Sequence, residues 1–245
     1  MRDTIIKIAN SIRNQRYSDA LVVFAAGSFV RGDATAFSDL DLVVVYESLP
    51  NSYRESFRFE GFPVEAFVHD TQTLNYFFVE VDRPSGVPSL PQMVKEGIEI
   101  PDSSAFSRSL KALATSVIEM RPPALTPEDD RKLRYGITDL LDDIRDPRSY
   151  AELIATGGQL YEALADYYLR KNGLWSAKGK SIPRVLERVD SDVSLRYRES
   201  FETLFRRGDA SAVIAFAEAL LQTHGGLLFD GYRGDAPPEW RKPLT

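Results

Sequence analysis

The stretch that decides the fold runs from Gly27 to Tyr46 and reads GSFVRGDATAFSDLDLVVVY. It begins with Gly-Ser directly after one apolar run, and it places two carboxylates, Asp39 and Asp41, at the start of another. A buried strand has no structural use for two nearby negative charges at its start. The stretch therefore predicts either an acidic turn or a place built to hold a cation.

Strand geometry bears on this choice. Successive side chains of a strand point to opposite faces, so Asp39 and Asp41 are expected on the same side, about 6.5 to 7 Å apart. Two carboxylates aimed at one point repel each other unless a cation lies between them. Mg²⁺, which retains several waters and binds substrate phosphates, is the usual occupant. For the carboxylate pair alone, a turn residue followed by a strand-edge charge is an equally good interpretation.

The beginning of the same stretch offers groups for phosphate oxygens. Gly27 allows a close approach of the backbone, and Ser28 supplies a hydroxyl. A short helix that begins there would direct its N–H groups towards an anion.

The apolar runs around this stretch indicate strands. Residues 21–26 (LVVFAA) and 41–47 (DLVVVYE) are rich in branched and aromatic side chains, which is typical of strands buried on both faces. Residues 58–70 (RFEGFPVEAFVHD) hold a third strand, with Gly61 and Pro63 marking a turn or bulge before it.

Helical spacing of apolar residues appears at the N-terminus and again in the second half. Residues 1–14 predict an amphipathic helix, whereas residues 82–91 (DRPSGVPSLP) predict a loop. After about residue 105, apolar residues recur at intervals of three and four in several segments. The expected fold class is α+β, with a mixed-sheet domain at residues 1–105 and an all-helical bundle at residues 106–245.

Composition limits the possible functions. A formal charge of −6 argues against a protein that coats nucleic acid, although it leaves room for a local basic pocket that binds a triphosphate. The absence of cysteine excludes disulfides, thiolate zinc sites and a cysteine nucleophile, and it favours a reducing cytoplasm. The longest apolar runs are too short to cross a bilayer. We therefore expect a soluble cytoplasmic protein without a membrane partner.

Taken together, the elements of the opening stretch resemble a known signature. Gly27-Ser28, Arg31-Gly32 and Ser38-Asp39-Leu40-Asp41 before a hydrophobic strand are similar to the motif of the DNA polymerase β-like nucleotidyltransferase superfamily. The chain resembles in particular the aminoglycoside adenylyltransferases of the streptomycin/spectinomycin type. It also resembles the minimal nucleotidyltransferases that pair with helical partner domains.

The resemblance implies a magnesium-dependent nucleotidyltransferase. Its expected reaction transfers a nucleotide monophosphate, AMP from the substrate ATP, to a hydroxyl of a small acceptor, for which an aminoglycoside is one candidate. Asp39 and Asp41 would hold two Mg²⁺ ions in the active complex. The nucleotide-binding residues that it implies are Gly27, Ser28, Arg31 and Ser38. For Arg31, an ordinary surface arginine is an equally good interpretation.

The family needs a third carboxylate from a later strand, and Glu65 within PVEAFVHD matches that place. In the streptomycin-modifying enzymes this carboxylate acts as general base on the acceptor hydroxyl, whereas other branches use it as a metal ligand. Both roles stay open for Glu65. The alternative to both roles is that Glu65 is an ordinary glutamate on an edge strand.

The helical half contains one candidate for the nucleotide site. Lys178 and Lys180 lie on a glycine-containing loop before a helix that Ser181 could cap. The resemblance points to Lys178 as the residue that holds the triphosphate, in a cleft between the two domains. A solvated loop between helices is an equally good interpretation.

The acceptor is less well defined. One helix face is acidic and consists of Asp139, Asp142, Asp143 and Asp146. Such a face would attract a cationic acceptor, but an ordinary solvated helix face is the better interpretation. Residues 94–104 (VKEGIEIPDSS) offer no match for the aromatic residue that contacts the drug in the streptomycin enzymes.

Two further functions stay open. One is an antitoxin-like transferase that modifies a protein or the end of a tRNA, and the other is a catalytically silent nucleotide-binding regulator. The three carboxylates argue against a silent protein. The negative charge argues against an extended nucleic acid as substrate but not against a tRNA terminus. The acceptor, the preferred nucleotide and the oligomeric state are not determined by the sequence.

Overall fold

The structure, a computed structural model, describes residues 2–241. The chain divides into two compact units between Pro123 and Ala124. This division lies after the boundary expected at residue 105, because the helix Ala105–Glu119 packs its apolar face into a core of the first unit. No helix within residues 2–241 combines the length and apolar character needed to cross a membrane.

The first unit begins with two helices and four strands. Their bounds are α1 (Arg2–Arg16), β1 (Val22–Ala26), α2 (Ser28–Arg31), β2 (Leu40–Tyr46), β3 (Tyr53–Phe59) and β4 (Phe62–Asp70). The elements that follow are α3 (Thr71–Tyr76), a π-helical segment (Phe77–Asp82), α4 (Arg83–Ser85), α5 (Ser89–Glu96), β5 (Ile98–Ile100) and α6 (Ala105–Glu119). Helical turns therefore occupy much of the stretch 82–91 that the sequence predicts to be a loop.

The five strands form one mixed sheet in the order β3-β4-β2-β1-β5. The pair β2–β4 is parallel, and the other three pairs are antiparallel. The three expected strands correspond to β1, β2 and β4, whereas β3 and β5 were not expected. The α+β fold class, with a mixed-sheet nucleotidyltransferase domain and a helical C-terminal region, is confirmed.

Both faces of the sheet are covered, which explains the continuous apolar runs in the central strands. Along β2, Leu42 and Val44 pack into a core that includes α1, whereas Val43 and Val45 pack into a second core with α5 and α6. Because side chains alternate along a strand, Asp41 shares the face of Val43. This face is the one covered by α5 and α6.

A tight hairpin joins β3 to β4. Glu60 and Gly61 form its turn with φ values of 48° and 85°. Two consecutive positive φ values characterise a type I′ turn, whose twist matches that of the strands it connects. The turn expected around Gly61 is therefore present, and it sets the register in which Arg54 lies opposite Phe67 and Ser56 opposite Glu65.

The second unit is helical. Its main helices are α7 (Pro127–Arg145), α8 (Tyr150–Lys171), α9 (Ile182–Val189), α10 (Ser191–Arg207) and α11 (Ser211–Gln222). Helix α7 begins at the expected cap, because the hydroxyl of Thr126 accepts a hydrogen bond from the backbone N–H of Asp129 at 3.0 Å. The core contains Leu141, Leu164 and Leu204, which are fully buried.

Two neighbouring glycines of α8 differ in their surroundings. A Cβ added to Gly157 would lie 2.8 Å from Cδ2 of Leu204 on α10, whereas a Cβ added to Gly158 would meet nothing within 4 Å. Gly157 therefore allows α8 and α10 to approach closely, while Gly158 has no such packing role.

Candidate metal centre and active site

Three carboxylates converge at one end of β2 and β4. Asp41 and Glu65 are direct neighbours in the parallel register of these strands, and Asp39 lies one residue before β2. Asp39, Asp41 and Glu65 each offer an oxygen within 4.8 Å of the others. All three residues are partly buried. The convergence follows from the alternation of side chains along β2 and from the register of β4, which brings Glu65 beside Asp41.

The three carboxylates fit a hard divalent cation. Mg²⁺ binds oxygens at about 2.0–2.1 Å, so two oxygens on the same ion lie at most about 4.2 Å apart. Small side-chain rotations are enough to bring oxygens that lie within 4.8 Å of one another to that spacing. An all-carboxylate set is suited to Mg²⁺, Mn²⁺ or Ca²⁺ rather than to a soft metal. Within residues 2–241, this is the one cluster of three or more ligand side chains at such spacing.

Gly27 makes room for Asp41. It has a φ of 77°, in the left-handed region, and a Cβ at this position would lie 1.9 Å from Oδ2 of Asp41. Glycine is needed here for its backbone conformation and for the close approach of the carboxylate. Helix α2 begins directly afterwards at Ser28, as the sequence led us to expect, and has four residues.

Arg54 is a site residue that sequence reasoning missed. Its guanidinium donates a hydrogen bond to Oε1 of Glu65 and lies 5.0 Å from the ring centroid of Phe67. The side chain of Glu65 is 18% exposed and that of Arg54 is 61% exposed. The polar–apolar alternation of YRESFRF in β3 was the available signal, but the partner of Arg54 depends on the hairpin register.

Arg31 is bound to carboxylates in this structure. Its guanidinium lies 2.7 Å from Glu96 on α5 and 3.6 Å from Asp33. Glu96 also accepts a hydrogen bond from the amide of Gln92 at 3.1 Å. A contact between Arg31 and phosphate therefore stays a prediction, and it requires exchange of these partners.

Ser28 and Ser38 flank the segment between α2 and β2. The carbonyl of Ser28 accepts hydrogen bonds from the N–H groups of Gly32 and Asp33, both at 3.0 Å. The hydroxyl of Ser38 accepts a hydrogen bond from the N–H of Thr35 at 2.8 Å and so closes a turn just before Asp39. The nucleotide-binding roles of both serines stay predictions.

Lys178 belongs to the second unit, on the loop before α9. Its side chain is exposed. The hydroxyl of Ser181 accepts a hydrogen bond from the N–H of Lys178 at 3.2 Å and donates one to the Lys178 carbonyl at 2.7 Å. Gly179 donates its N–H to Glu162 at 3.2 Å, which ties the loop to α8. Ser181 thus orders this loop and does not cap α9 with its side chain.

His69 lies on β4, four residues beyond Glu65, and is buried. It is 3% exposed, and its ring packs edge-on against Phe77 at 4.9 Å. Burial lowers the pKa of His69 to about 4, against a weaker opposing effect of Asp70. His69 is therefore neutral at pH 7 and contributes to packing at the end of its strand.

Residues 5–82 match the sequence model of the nucleotidyltransferase domain family. The chain is also similar to a solved structure, a nucleotidyltransferase-like protein from Exiguobacterium sibiricum 255-15, with 14% identity over 89% of this chain and 75% of that chain, and a TM-score of 0.44. A structural likeness at this level does not bear on function. No curated protein gives a significant match.

The match covers most of α1, the strands β1 to β4 and all three carboxylates of the candidate site. The chain therefore carries a nucleotidyltransferase domain of the DNA polymerase β-like superfamily. The protein is a transferase, and its general reaction is nucleotidyl transfer. The expected superfamily and the expected enzyme class, a transferase, are thereby confirmed.

Proposed function

We propose that this protein transfers AMP from magnesium-bound ATP to a hydroxyl group of a small molecule. The observation that carries the proposal is the convergence of Asp39, Asp41 and Glu65, whose oxygens lie within 4.8 Å of one another. The match to the nucleotidyltransferase domain supports the general reaction. The choice of ATP and of a small acceptor rests on the resemblance to the adenylyltransferases.

Asp39 and Asp41 are the proposed metal-holding residues. They lie on the same side of β2 and present negative charge at a partly exposed strand end. Asp39 and Asp41 would hold one or two divalent ions, which would supply positive charge to the phosphate oxygens of the substrate. Gly27 serves this site by leaving space for the carboxylate of Asp41.

Glu65 is the proposed general base. One of its oxygens takes the proton of the acceptor hydroxyl as the hydroxyl oxygen forms a bond to the α-phosphorus of ATP. The bond between the α-phosphorus and its bridging oxygen breaks, and pyrophosphate leaves with the electron pair. The products are the adenylylated acceptor and pyrophosphate.

The triphosphate needs donors beyond the metal. Gly27, Ser28 and Ser38 lie before Asp39 in the sequence and offer backbone and hydroxyl groups, and Arg31 becomes available if it releases Glu96 and Asp33. Lys178 is the proposed cation for the outer phosphates, where a flexible ammonium acts as a point charge. The cysteine-free composition supports a cytoplasmic setting for the reaction.

A pyrophosphate-release screen tests this function. Wild-type protein with Mg-ATP should release pyrophosphate when one member of a panel of hydroxylated acceptors, including aminoglycosides, is present. Release should stop when EDTA removes the metal, and the other nucleoside triphosphates establish the base preference. Acceptor-dependent release that continues at an equal rate in EDTA would contradict the proposed metal site.

A further inference from the structure

We infer that Arg54 is a positioning residue that holds one oxygen of Glu65, limits this carboxylate as a metal ligand and so reserves it for the acceptor proton. The inference rests on the proposed function, because it decides between two roles of Glu65 within that site. Arg54 itself is not expected to touch the substrate or the metal.

The contacts of Arg54 fix its guanidinium on two sides. It donates to Oε1 of Glu65 and lies 5.0 Å from the ring centroid of Phe67. Phe67 is the residue directly opposite Arg54 on β4, and Glu65 is two residues away along β4 on the same face of the sheet. The hairpin register, rather than a mobile loop, therefore brings Arg54 to Glu65.

The charges give this contact a consequence. Asp39, Asp41 and Glu65 together carry three negative charges, and the guanidinium of Arg54 balances one of them at Glu65. A hydrogen bond between two ionised groups is stronger than a neutral one. Because Arg54 holds Oε1, Glu65 can offer both of its oxygens to a metal only if this bond breaks, whereas its second oxygen stays open to the acceptor hydroxyl.

A titration with Mn²⁺ tests the inference without a known acceptor. Calorimetry would measure Mn²⁺ affinity in the presence of a non-hydrolysable ATP analogue for the wild type, Arg54→Gln, Glu65→Gln and the double variant. Arg54→Gln should tighten Mn²⁺ binding, because the released Glu65 can then serve as a further metal ligand. The expected size is about tenfold, the lower end of the about 10- to 100-fold by which changes at groups that contact metal ligands alter metal affinity, usually as a loss. Glu65→Gln should leave the affinity close to that of the wild type.

The double variant separates positioning from simple charge. Removing a nearby positive charge strengthens cation binding whether or not Glu65 is present, but releasing Glu65 matters only when its carboxylate exists. The gain caused by Arg54→Gln should therefore largely disappear in the Glu65→Gln background. Arg54→Lys, which retains the charge and a donor, should behave more like the wild type than Arg54→Gln does.

The chain offers a matched control in Arg16. This arginine pairs with Glu55 at 3.0 Å and lies 4.1 Å from the ring centroid of Phe57, an arrangement like that of Arg54. Glu55 neighbours Arg54 on β3 and so points to the opposite face of the sheet. Arg16→Gln removes the same charge and should leave Mn²⁺ affinity unchanged.

The possible results distinguish this inference from the proposed function. If wild-type Mn²⁺ binding does not depend on Asp41, as tested with Asp41→Asn, the proposed metal site fails, and the inference with it. If binding depends on Asp41 but Arg54→Gln does not tighten it, only the inference is overturned. A clear loss of Mn²⁺ affinity in Glu65→Gln would also overturn the inference. The Glu65→Gln measurement therefore tests the inference even if Arg54→Gln does not fold.

Discussion

The two units of this protein both carry clusters of acidic residues, but they arrange them differently. In the first unit, Asp39, Asp41 and Glu65 bring oxygens within 4.8 Å of one another. In the second, Asp142 on α7 pairs with Arg145, which also pairs with Glu218 on α11. All four aspartates of the acidic α7 face are exposed: Asp139, Asp142, Asp143 and Asp146.

Backbone geometry explains this difference. A helix rises 1.5 Å per residue, so Asp139 and Asp146, the residue just after the end of α7, are separated by about 10 Å along its axis and cannot share one small ion. In the sheet, alternation places Asp39 and Asp41 on one side, and a neighbouring strand adds Glu65 at the same level. Regularly spaced acidic residues therefore indicate a metal site only where a neighbouring helix or strand adds a further ligand close to them.

The largest expected effect comes from replacing one aspartate in each unit, which tests whether only the acidic cluster of the first unit supports activity. Asp41→Asn should lower nucleotidyl transfer about 10³-fold, because it removes charge that stabilises the phosphates in the transition state. Asp143→Asn on the exposed face of α7 should leave turnover unchanged. Steady-state pyrophosphate release measures both variants, and equal rates for Asp41→Asn and the wild type would refute the assignment of Asp41.

The second unit should be more sensitive to packing than to charge. Gly157→Ala would force a Cβ to within 2.8 Å of Leu204, so we expect a loss of about 1–3 kcal/mol in the free energy of unfolding. Gly158→Ala, which meets nothing within 4 Å, should stabilise α8 by up to about 1 kcal/mol. Urea unfolding followed by circular dichroism compares the two; equal stabilities would mean that α8 and α10 do not pack as closely as described.

The two histidines, one in each unit, allow the pH dependence of stability to be compared between the units. Burial lowers the pKa of His69 to about 4 from the ordinary 6.5, so the unfolded chain binds this proton more tightly than the folded protein. His69 therefore favours the folded state fully above about pH 6.5, and this contribution falls away as the pH drops towards 4. Allowing for partial solvation, the loss should be about 2 kcal/mol.

Substitution isolates this contribution from those of other titrating groups. Stability measured from pH 7.5 to 4 should decrease less steeply in His69→Phe than in the wild type. His224 of the second unit is partly exposed, and burial followed by the charge of Lys171 lowers its pKa. His224→Phe should therefore change the pH dependence less than His69→Phe, and the reverse order would contradict the described burial of His69.

The smallest effect concerns Lys178 of the second unit, the proposed partner of the outer phosphates. If Lys178 contacts the outer phosphates, Lys178→Ala should weaken ATP binding about tenfold and leave AMP binding nearly unchanged. Lys180→Ala, two residues away on the same loop, serves as the control. Calorimetry with both nucleotides measures the difference, and an equal loss for ATP and AMP would show that Lys178 does not distinguish the triphosphate.

The sequence predicted the centre of the sheet better than its edges. The strands β1, β2 and β4 are recognisable because burial on both faces demands continuous apolar residues. The edge strand β3 has only one face in the core, so YRESFRF mixes charged and aromatic residues, and the three residues of β5 are too few for a pattern. The division between the units falls after α6, whose amphipathic pattern does not reveal which core it joins.

The same limit applies to the candidate site. Asp39 and Asp41 are two residues apart, so strand alternation alone is enough to place them on one side. Glu65 was found through resemblance, because its proximity to Asp41 depends on the pairing of β2 with β4. Arg54 was missed, since its contact with Glu65 exists only once the type I′ turn at Glu60 and Gly61 has set the hairpin register.

Gly27 has a consequence for the mutational tolerance of this protein. Every other amino acid would add a Cβ at 1.9 Å from Oδ2 of Asp41, and would also have to adopt a φ of 77°. No replacement, however small, escapes both conditions. A comprehensive mutational scan would rank this position with the carboxylates themselves, although Gly27 has no side chain that takes part in chemistry. Intolerance to substitution at position 27 would thus report the space that Asp41 occupies, and a lineage that lost this glycine could recover only by restoring it or by rebuilding the end of β2.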